Sequence, residues 1–391
     1  MKILMIAPEP FFEPRGTPFS VLGRLKALSA LGHEIDLLTY HLGQDVTISN
    51  VRIYRTLRIP PITKIRIGPS LIKLFLDLLL MAKTVQFLLL RKYDLLHAHE
   101  EASFFTIFLA RLFGIPHLYD MHSSLPQQLR NFDYTKFSPV IRIFEWFERY
   151  VINSSEGIIT ICPALEKHMK NINPHTKHVM IENVPAEENH EALSQRRRRV
   201  EEFRSTYSLD GKMIVLYAGT FEPYQGLDLL IRSAERVVAK SKNTLFLLIG
   251  GQPDQVKKYR TLVEQLGLAS QFRFTGIRPP NEIPIAIEAS DILISPRISG
   301  TNTPLKIYAY LQSGKPIIAT NLYTHTQILT SEVALLVEPE AEAMAAGIIT
   351  LLENVELSCT LGKQATQLFK EHYSFETYLR KTESIVQMSL R

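Results

Sequence analysis

Cysteine is almost absent. The chain of 391 residues has two, Cys162 and Cys359, far apart in sequence. That excludes a disulfide framework and a cysteine-based metal cluster, and it fits a reducing cytoplasm. A long unbroken apolar run is also lacking. The most apolar stretch, Ser70 to Leu90, is interrupted by Lys73, Asp77 and Lys83, whereas a spanning helix needs about 20 residues with few or no charges. Its expected form is a buried helix of an α/β domain. The alternative is an amphipathic face touching a membrane, since Lys64, Arg66, Arg91 and Lys92 flank it after Gly68-Pro69. No signal-peptide pattern opens the chain: Met1 to Ala7 has one lysine and a very short apolar run before Pro8, and is expected to be a buried strand. A large excess of one charge is missing too. The net charge of +5 suits nucleotide phosphates or an anionic membrane surface without deciding between them. With 46% hydrophobic and 21% charged residues, a disordered or fibrous composition is excluded.

What is present is alternation. Apolar strands are expected at Lys2 to Ala7, Glu34 to Tyr40, Leu95 to Ala98, His117 to Tyr119, Glu156 to Ile161 and Val179 to Ile181. Helical periodicity separates them at Phe19 to Leu31 and Ala102 to Phe113, each ended by a glycine. A charged stretch, Glu187 to Arg199, follows the last of these strands, and its Arg196-Arg197-Arg198-Arg199 run reads as the start of a solvated helix rather than a nucleic-acid site. The alternation then restarts with strands at Met213 to Tyr217, Leu245 to Ile249, Phe272 to Phe274, Ile292 to Ile294 and Ile317 to Ala319. Helices are expected between them at Leu227 to Val238, Gln255 to Leu266, Asn281 to Glu288 and Pro304 to Gln312, with a last one at Thr377 to Leu390. The chain is too long for one core. Strand–helix alternation predicts an α/β architecture of two doubly wound parallel-sheet, Rossmann-like domains facing across a cleft. The expected division is 1–195, 196–372, and a C-terminal helix segment 373–391 packing back toward the first domain.

In such sheets ligands bind at the carboxyl ends of strands. The richest candidate is Arg297 with Gly300-Thr301-Asn302-Thr303 and Lys306, before a helix expected to start at Pro304. Free amides at a helix start attract anions, and a lysine in the first turn opposes the dipole unless an anion neutralises it. The turn Gly219-Thr220-Phe221-Glu222-Pro223-Tyr224-Gln225 has the glycine of a phosphate cradle, and Glu222 either binds ribose hydroxyls or caps the helix. His122, after a strand end at Tyr119-Asp120, has a side chain able to hydrogen-bond a sugar or stabilise a departing phosphate. His97, His99, Glu100 and Glu101 have spacing that invites a metal, but no distant further ligand accompanies them, so no metal is expected.

Together these segments resemble the retaining GT-B glycosyltransferases of family 4, the group 1 transferases. The resemblance runs through Gly16-Thr17, Gly32-His33-Glu34-Ile35, Asp94 to His99, Asp120-Met121-His122, Phe274-Thr275-Gly276, Ala289-Ser290-Asp291, Gly314 to Thr320 and Tyr373-Ser374-Phe375. It implies a nucleotide-diphosphate sugar held mainly by the second domain, a glycan or lipid-linked acceptor held mainly by the first, retention of configuration, and no required metal or other cofactor. Expected donor contacts are Gly16, Thr17, Gly219, Thr220, Glu222, Gln225, Arg278, Arg297, Gly300, Thr301, Asn302, Thr303 and Lys306, with His122 as the catalytic-side residue. The expected locale is cytoplasmic, or peripheral at the inner face of a membrane. The chain departs from the pattern where the family carries two glutamates and an arginine–lysine pair: Thr301, Ala309, Thr220 and Gln225 stand there. That departure supports the alternative of a non-catalytic module binding a nucleotide sugar or a partner enzyme. A sugar-nucleotide epimerase would share the fold, but no carboxylate arrangement favours it.

Overall fold

The computed structural model describes residues 1–13, 16–65, 70–131, 138–183 and 193–390. Arg66, Gly68, Pro69 and the charged stretch from Glu187 to residue 192 lie outside the described residues. The chain divides into two compact units, Met1–Ala186 with Phe375–Arg391, and Glu187–Ser374.

In the first unit the elements run β1 (Lys2–Ala7), α1 (Gly16–Ala30), β2 (Glu34–Thr39), β3 (Val51–Arg55), α2 (Leu71–Leu90), β4 (Leu95–His99), α3 (Ser103–Phe113), β5 (His117–Met121), α4 (Leu125–Asn131), α5 (Ser138–Ser154), β6 (Gly157–Thr160), α6 (Pro163–Ile172) and β7 (His178–Met180). The second unit has α7 (Leu193–Thr206), β8 (Met213–Ala218), α8 (Leu227–Lys240), β9 (Thr244–Ile249), α9 (Pro253–Gln265), β10 (Phe272–Gly276), α10 (Ile283–Glu288), β11 (Ile292–Ser295), α11 (Lys306–Ser313), β12 (Ile317–Thr320), α12 (Tyr323–Thr326), β13 (Leu335–Val337), α13 (Ala341–Glu353) and α14 (Val355–His372). The last helix, α15 (Phe375–Leu390), belongs to the first unit. Both sheets are parallel, ordered β3-β2-β1-β4-β5-β6-β7 and β10-β9-β8-β11-β12-β13. Central strands β1 and β8 are buried on both faces, which is why they read as unbroken apolar runs.

The strand order reverses direction between β1 and β4 in one sheet and between β8 and β11 in the other. Loops leaving the carboxyl ends of such a pair run in opposite directions and open a crevice. This topology positions both candidate sites.

Several elements had no clear signal. Edge strand β3 is only half-buried, and α5 carries its apolar residues on one face of an otherwise polar sequence. Helix α1 begins at Gly16 rather than Phe19, with Pro18 in its first turn, where a missing N–H costs nothing. Helix α11 begins at Lys306, not at Pro304; the Pro304 carbonyl instead accepts from Ile307 N at 3.0 Å. The arginine run lies on α7 and is paired within the second unit. Arg196 pairs with Glu288, Arg198 Nε with Glu202 at 2.9 Å, and Arg199 Nη2 donates to Asn281 O at 3.2 Å. Among the described residues no single helix is long and apolar enough to cross a membrane.

Burial sets an acid response. In the first unit His33, His97, His99, His117 and His178 are all held below the usual histidine range, chiefly by burial. Each therefore binds its proton more readily when unfolded. Asp77 and Glu100 act oppositely, since burial pushes both up to about 7. Between pH 6.5 and 4.5 the buried histidines draw protons to the unfolded unit and lower stability as pH falls, against the opposing pull of the two carboxyls. The melting temperature of the first unit should drop across that window; a flat or rising profile would contradict this assignment.

Candidate functional site

In the second unit the β8 and β11 turns meet over α11. Ile292 and Leu293 pair with Val215 and Leu216, so the chain leaves both strands side by side, at Gly219 and at Pro296. Gly226, at φ +74, lets its backbone lie directly on the Pro296 carbonyl, where any Cβ would collide. Ile298 N donates to Tyr224 O at 3.0 Å and ties the two turns together. Tyr310, from α11, receives the Ala218 N–H at 3.2 Å.

Two cations occupy this junction. Lys306 places its ammonium 3.7 Å from the centroid of the Tyr217 ring and 3.4 Å from Gln225 Oε1. A Cβ on Gly219 would stand 2.8 Å from that nitrogen, the flexible end of the lysine side chain. Arg297 donates through Nη1 to Asn302 O at 2.7 Å and to Thr324 Oγ1 at 2.9 Å, and its guanidinium lies 4.9 Å from the Tyr224 ring centroid. Among the described residues its Nε and the buried Thr303 hydroxyl make no hydrogen bond. Among the described residues no carboxylate pairs with either cation. Burial, reinforced by Arg297, holds the Lys306 ammonium well below the ordinary lysine range, and burial lowers Arg297 too. The Leu305 side chain caps nothing at the start of α11. The positive helix end is added to two uncompensated cations, an arrangement suited to an anion.

The remaining expected donor residues divide. Thr220 is exposed and its carbonyl accepts from Tyr217 OH at 2.6 Å, while Gln225 is buried beside it. Gly300 and Thr301 are exposed on the loop that wraps Arg297, and the Thr301 carbonyl accepts from Gln327 Nε2 at 2.6 Å. Glu222 does not cap a helix; its Oε1 accepts from Gln255 Nε2 at 3.1 Å. Arg278 is further out along the sheet. It follows edge strand β10, two strands from β8, and Glu282 holds it through bonds of 2.9 and 3.0 Å. Gly16 and Thr17 are in the first unit, in the first turn of α1 rather than in a free loop.

His325 was not found from sequence. It is buried on α12, with Nε2 2.8 Å from Ser295 Oγ and Nδ1 2.9 Å from Thr320 O, and burial pushes its pKa down to about 4. A neutral imidazole pinned between the ends of β11 and β12 fixes the floor of the Arg297 loop. Its one sequence signal was a histidine just past a strand end, too weak to act on.

The first unit holds a second cluster at the carboxyl ends of β4 and β5, whose register sets His99 opposite Asp120. Asp120, with no exposed surface, is 2.8 Å from Arg24 Nε, 3.3 Å from His97 Nε2 and, through Oδ1, 3.2 Å from His122 Nε2. His122 Nε2 also lies 2.9 Å from His99 Nδ1. Burial alone would raise the Asp120 pKa, but Arg24, His122 and His99 hold it well below the carboxylate range. His97, His99 and Asp120 are close enough together to suggest a metal. The set does not fit one, because the oxygen that both imidazoles face already accepts from Arg24, and a buried guanidinium repels a cation. Beside the cluster, Glu100 holds a left-handed backbone at φ +50 and accepts from Ser123 Oγ at 2.7 Å. A non-glycine residue in that conformation stores strain, a recurrent property of functional turns.

Comparison with known proteins agrees with this architecture. Residues 16–183 match the model described as "Glycosyl transferase 4-like domain", and residues 199–368 match "Glycosyl transferases group 1". The chain is similar to alpha-D-kanosaminyltransferase of Streptomyces kanamyceticus, 22% identical over 287 residues, 71% of this chain and 73% of that one. It is also similar to phosphatidyl-myo-inositol mannosyltransferase of Mycobacterium leprae, 22% identical over 359 residues, covering 90% and 88%. Among solved structures, Anabaena Alr3699/HepE in complex with UDP superposes with a TM-score of 0.74 at 16% identity, covering 99% of this chain and all of that one. With two adjoining family matches across most of its length and two Rossmann-like sheets of the GT-B class, the chain belongs to the group 1 glycosyl transferases and is an enzyme of sugar transfer.

Proposed function

We propose that the second unit binds a nucleoside-diphosphate sugar through Lys306, Arg297, the first amides of α11 and the Gly219-Thr220 turn. The observation that carries this is the pair of cations without a carboxylate at the β8/β11 junction. A lone buried cation is costly, and an incoming diphosphate supplies the missing charge. The HepE neighbour is described with UDP, which supports the same ligand class here. Where family members carry acids and bases at Thr301, Ala309, Thr220 and Gln225, this chain has neutral residues. Arg297 and Lys306 take over the positive role, and no acid competes for the space.

In this reading the first unit holds the acceptor, and His122 touches the reacting sugar. The bond from the sugar to the diphosphate breaks, the acceptor oxygen bonds to the same face of that carbon, and the diphosphate leaves with the acceptor's proton. Retention rests on membership of the family. The test is a panel of UDP-, GDP- and ADP-sugars with glycan and lipid acceptors. Transfer, or slow donor hydrolysis without acceptor, supports an enzyme. Binding across the panel without turnover would instead support a module that only carries the nucleotide sugar.

The acceptor is proposed to be lipid-linked and met at an anionic membrane surface. Ile72, Leu74, Phe75 and Leu78 are exposed on α2, the helix read as buried or, alternatively, as an amphipathic face touching a membrane. On α3 and α5, exposed Phe108 and Trp146 both stack against Tyr150, and Arg111 covers the same ring. An apolar and aromatic face with basic residues favours the headgroup boundary. The name of the mycobacterial relative includes a phosphatidyl lipid. The protein should float with phosphatidylglycerol vesicles at low salt, and Trp146→Ser should weaken this; no flotation at low salt removes the membrane reading.

A further inference from the structure

We infer that Arg24 is a positioning residue for His122, acting through Asp120, and that the C-terminal helix completes this device. The inference rests on the reading that His122 touches the reacting sugar. Arg24 comes from α1, 96 positions from the carboxylate it grips, and both side chains are wholly buried. Its Nη2 donates to Ile181 O at 3.0 Å, at the end of β7. Its guanidinium lies 5.0 Å from the ring centroid of Tyr378, from α15. Three elements from distant parts of the chain therefore fix one guanidinium, which fixes one carboxylate.

The fixed carboxylate orients the imidazole. Asp120 uses Oδ2 for Arg24 and presents Oδ1 to His122 Nε2 at 3.2 Å. This contact is electrostatic, since among the described residues Oδ1 makes no hydrogen bond of good geometry, and a carboxylate beside Nε2 favours the tautomer with a proton there. His99, whose protonation burial opposes strongly, turns Nδ1 toward the same Nε2 at 2.9 Å and accepts in the same sense. In neutral His122 the lone pair is then on Nδ1. In protonated His122, Nδ1 becomes a donor stabilised by Asp120 at the opposite end of the ring. Either state has a defined role at Nδ1, and a turned ring or the other tautomer has neither. The charged groups around the imidazole are Arg24 from α1, His97, His99 and Glu100 from β4 and its turn, and Asp120 from β5.

The first test needs no variant. Nitrogen NMR of the histidine-labelled wild-type protein should show His122 with its proton on Nε2 when neutral; a proton on Nδ1 with a bare Nε2 overturns the inference. The second uses Arg24→Lys and Asp120→Asn, alongside His122→Asn. Both should lower kcat on the order of 10²-fold, as loss of a positioned proton-handling group does, with KM for the donor little changed and the pH–rate profile displaced. Folded Arg24→Lys and Asp120→Asn proteins with wild-type kcat and pH profile overturn the positioning role if His122→Asn is impaired. If His122→Asn itself is as active as wild type, the parent reading fails instead. Tyr378→Leu should reproduce a milder form of the Arg24→Lys profile, and an unshifted profile there removes the C-terminal helix from the device.

Discussion

Lys306→Ala should weaken nucleoside-diphosphate binding by roughly 10- to 150-fold, the about 1.5–3 kcal/mol of a hydrogen bond to a charged group. Its effect on the free protein should be opposite in kind. The ammonium lies over Tyr217 and bonds Gln225, and burial and Arg297 both act against its charge. Removing it relieves that penalty, so the unliganded melting temperature should hold or rise while affinity falls. This opposition separates a binding role from a structural one. A lysine that merely packs would lose stability on truncation and leave affinity alone.

The same residue predicts a pH dependence. In the free protein the Lys306 pKa is depressed, and a diphosphate beside it favours the charged form. Binding therefore takes up a proton over the interval between the free and bound pKa values. Affinity strengthens as pH falls into that interval, until the diphosphate itself begins to protonate. Lys306→Ala should abolish the proton uptake together with the affinity.

The second large effect concerns stability. Asp120→Ala should cost the first unit about 3–5 kcal/mol, the consequence of stranding a buried partner. Arg24 would keep its charge with no carboxylate, and only Ile181 O and the Tyr378 ring would remain. Denaturant unfolding of the variant and wild type, followed through the first unit, measures the loss. A change below about 1 kcal/mol would place Asp120 among ordinary surface ion pairs and refute its account as a buried anchor. Asp120→Asn should cost less, because the amide keeps an oxygen for Arg24.

Much of this architecture was legible from local signals. The two-sided burial of β1 and β8 left unbroken apolar runs, and glycines at Gly114 and Gly314 closed α3 and α11 in left-handed caps. Arg297 and Lys306 were legible as a pair because both lie near one strand end and one helix start. What was not legible depends on distance along the chain. No local pattern says that Arg24 meets Asp120, or that the Tyr217 ring lies under Lys306. Arg278 shows the same limit: nothing in its own segment reveals that Glu282 holds its guanidinium. The start of α11 was misplaced because proline favours a first helical position without requiring it, and Pro304 serves as an acceptor before the helix.

The central claim is that a diphosphate, and not the nucleoside, is what the β8/β11 junction is built to hold. Calorimetric titration of the wild-type protein with UDP, GDP and ADP and with the matching nucleosides, in buffers of different ionisation enthalpy, measures this directly. The account predicts that at least one diphosphate binds far more tightly than its nucleoside, with proton uptake at a pH between the free and bound pKa values of Lys306. Equal binding of diphosphate and nucleoside, or tight diphosphate binding without proton exchange at any pH below the ordinary lysine range, would contradict it.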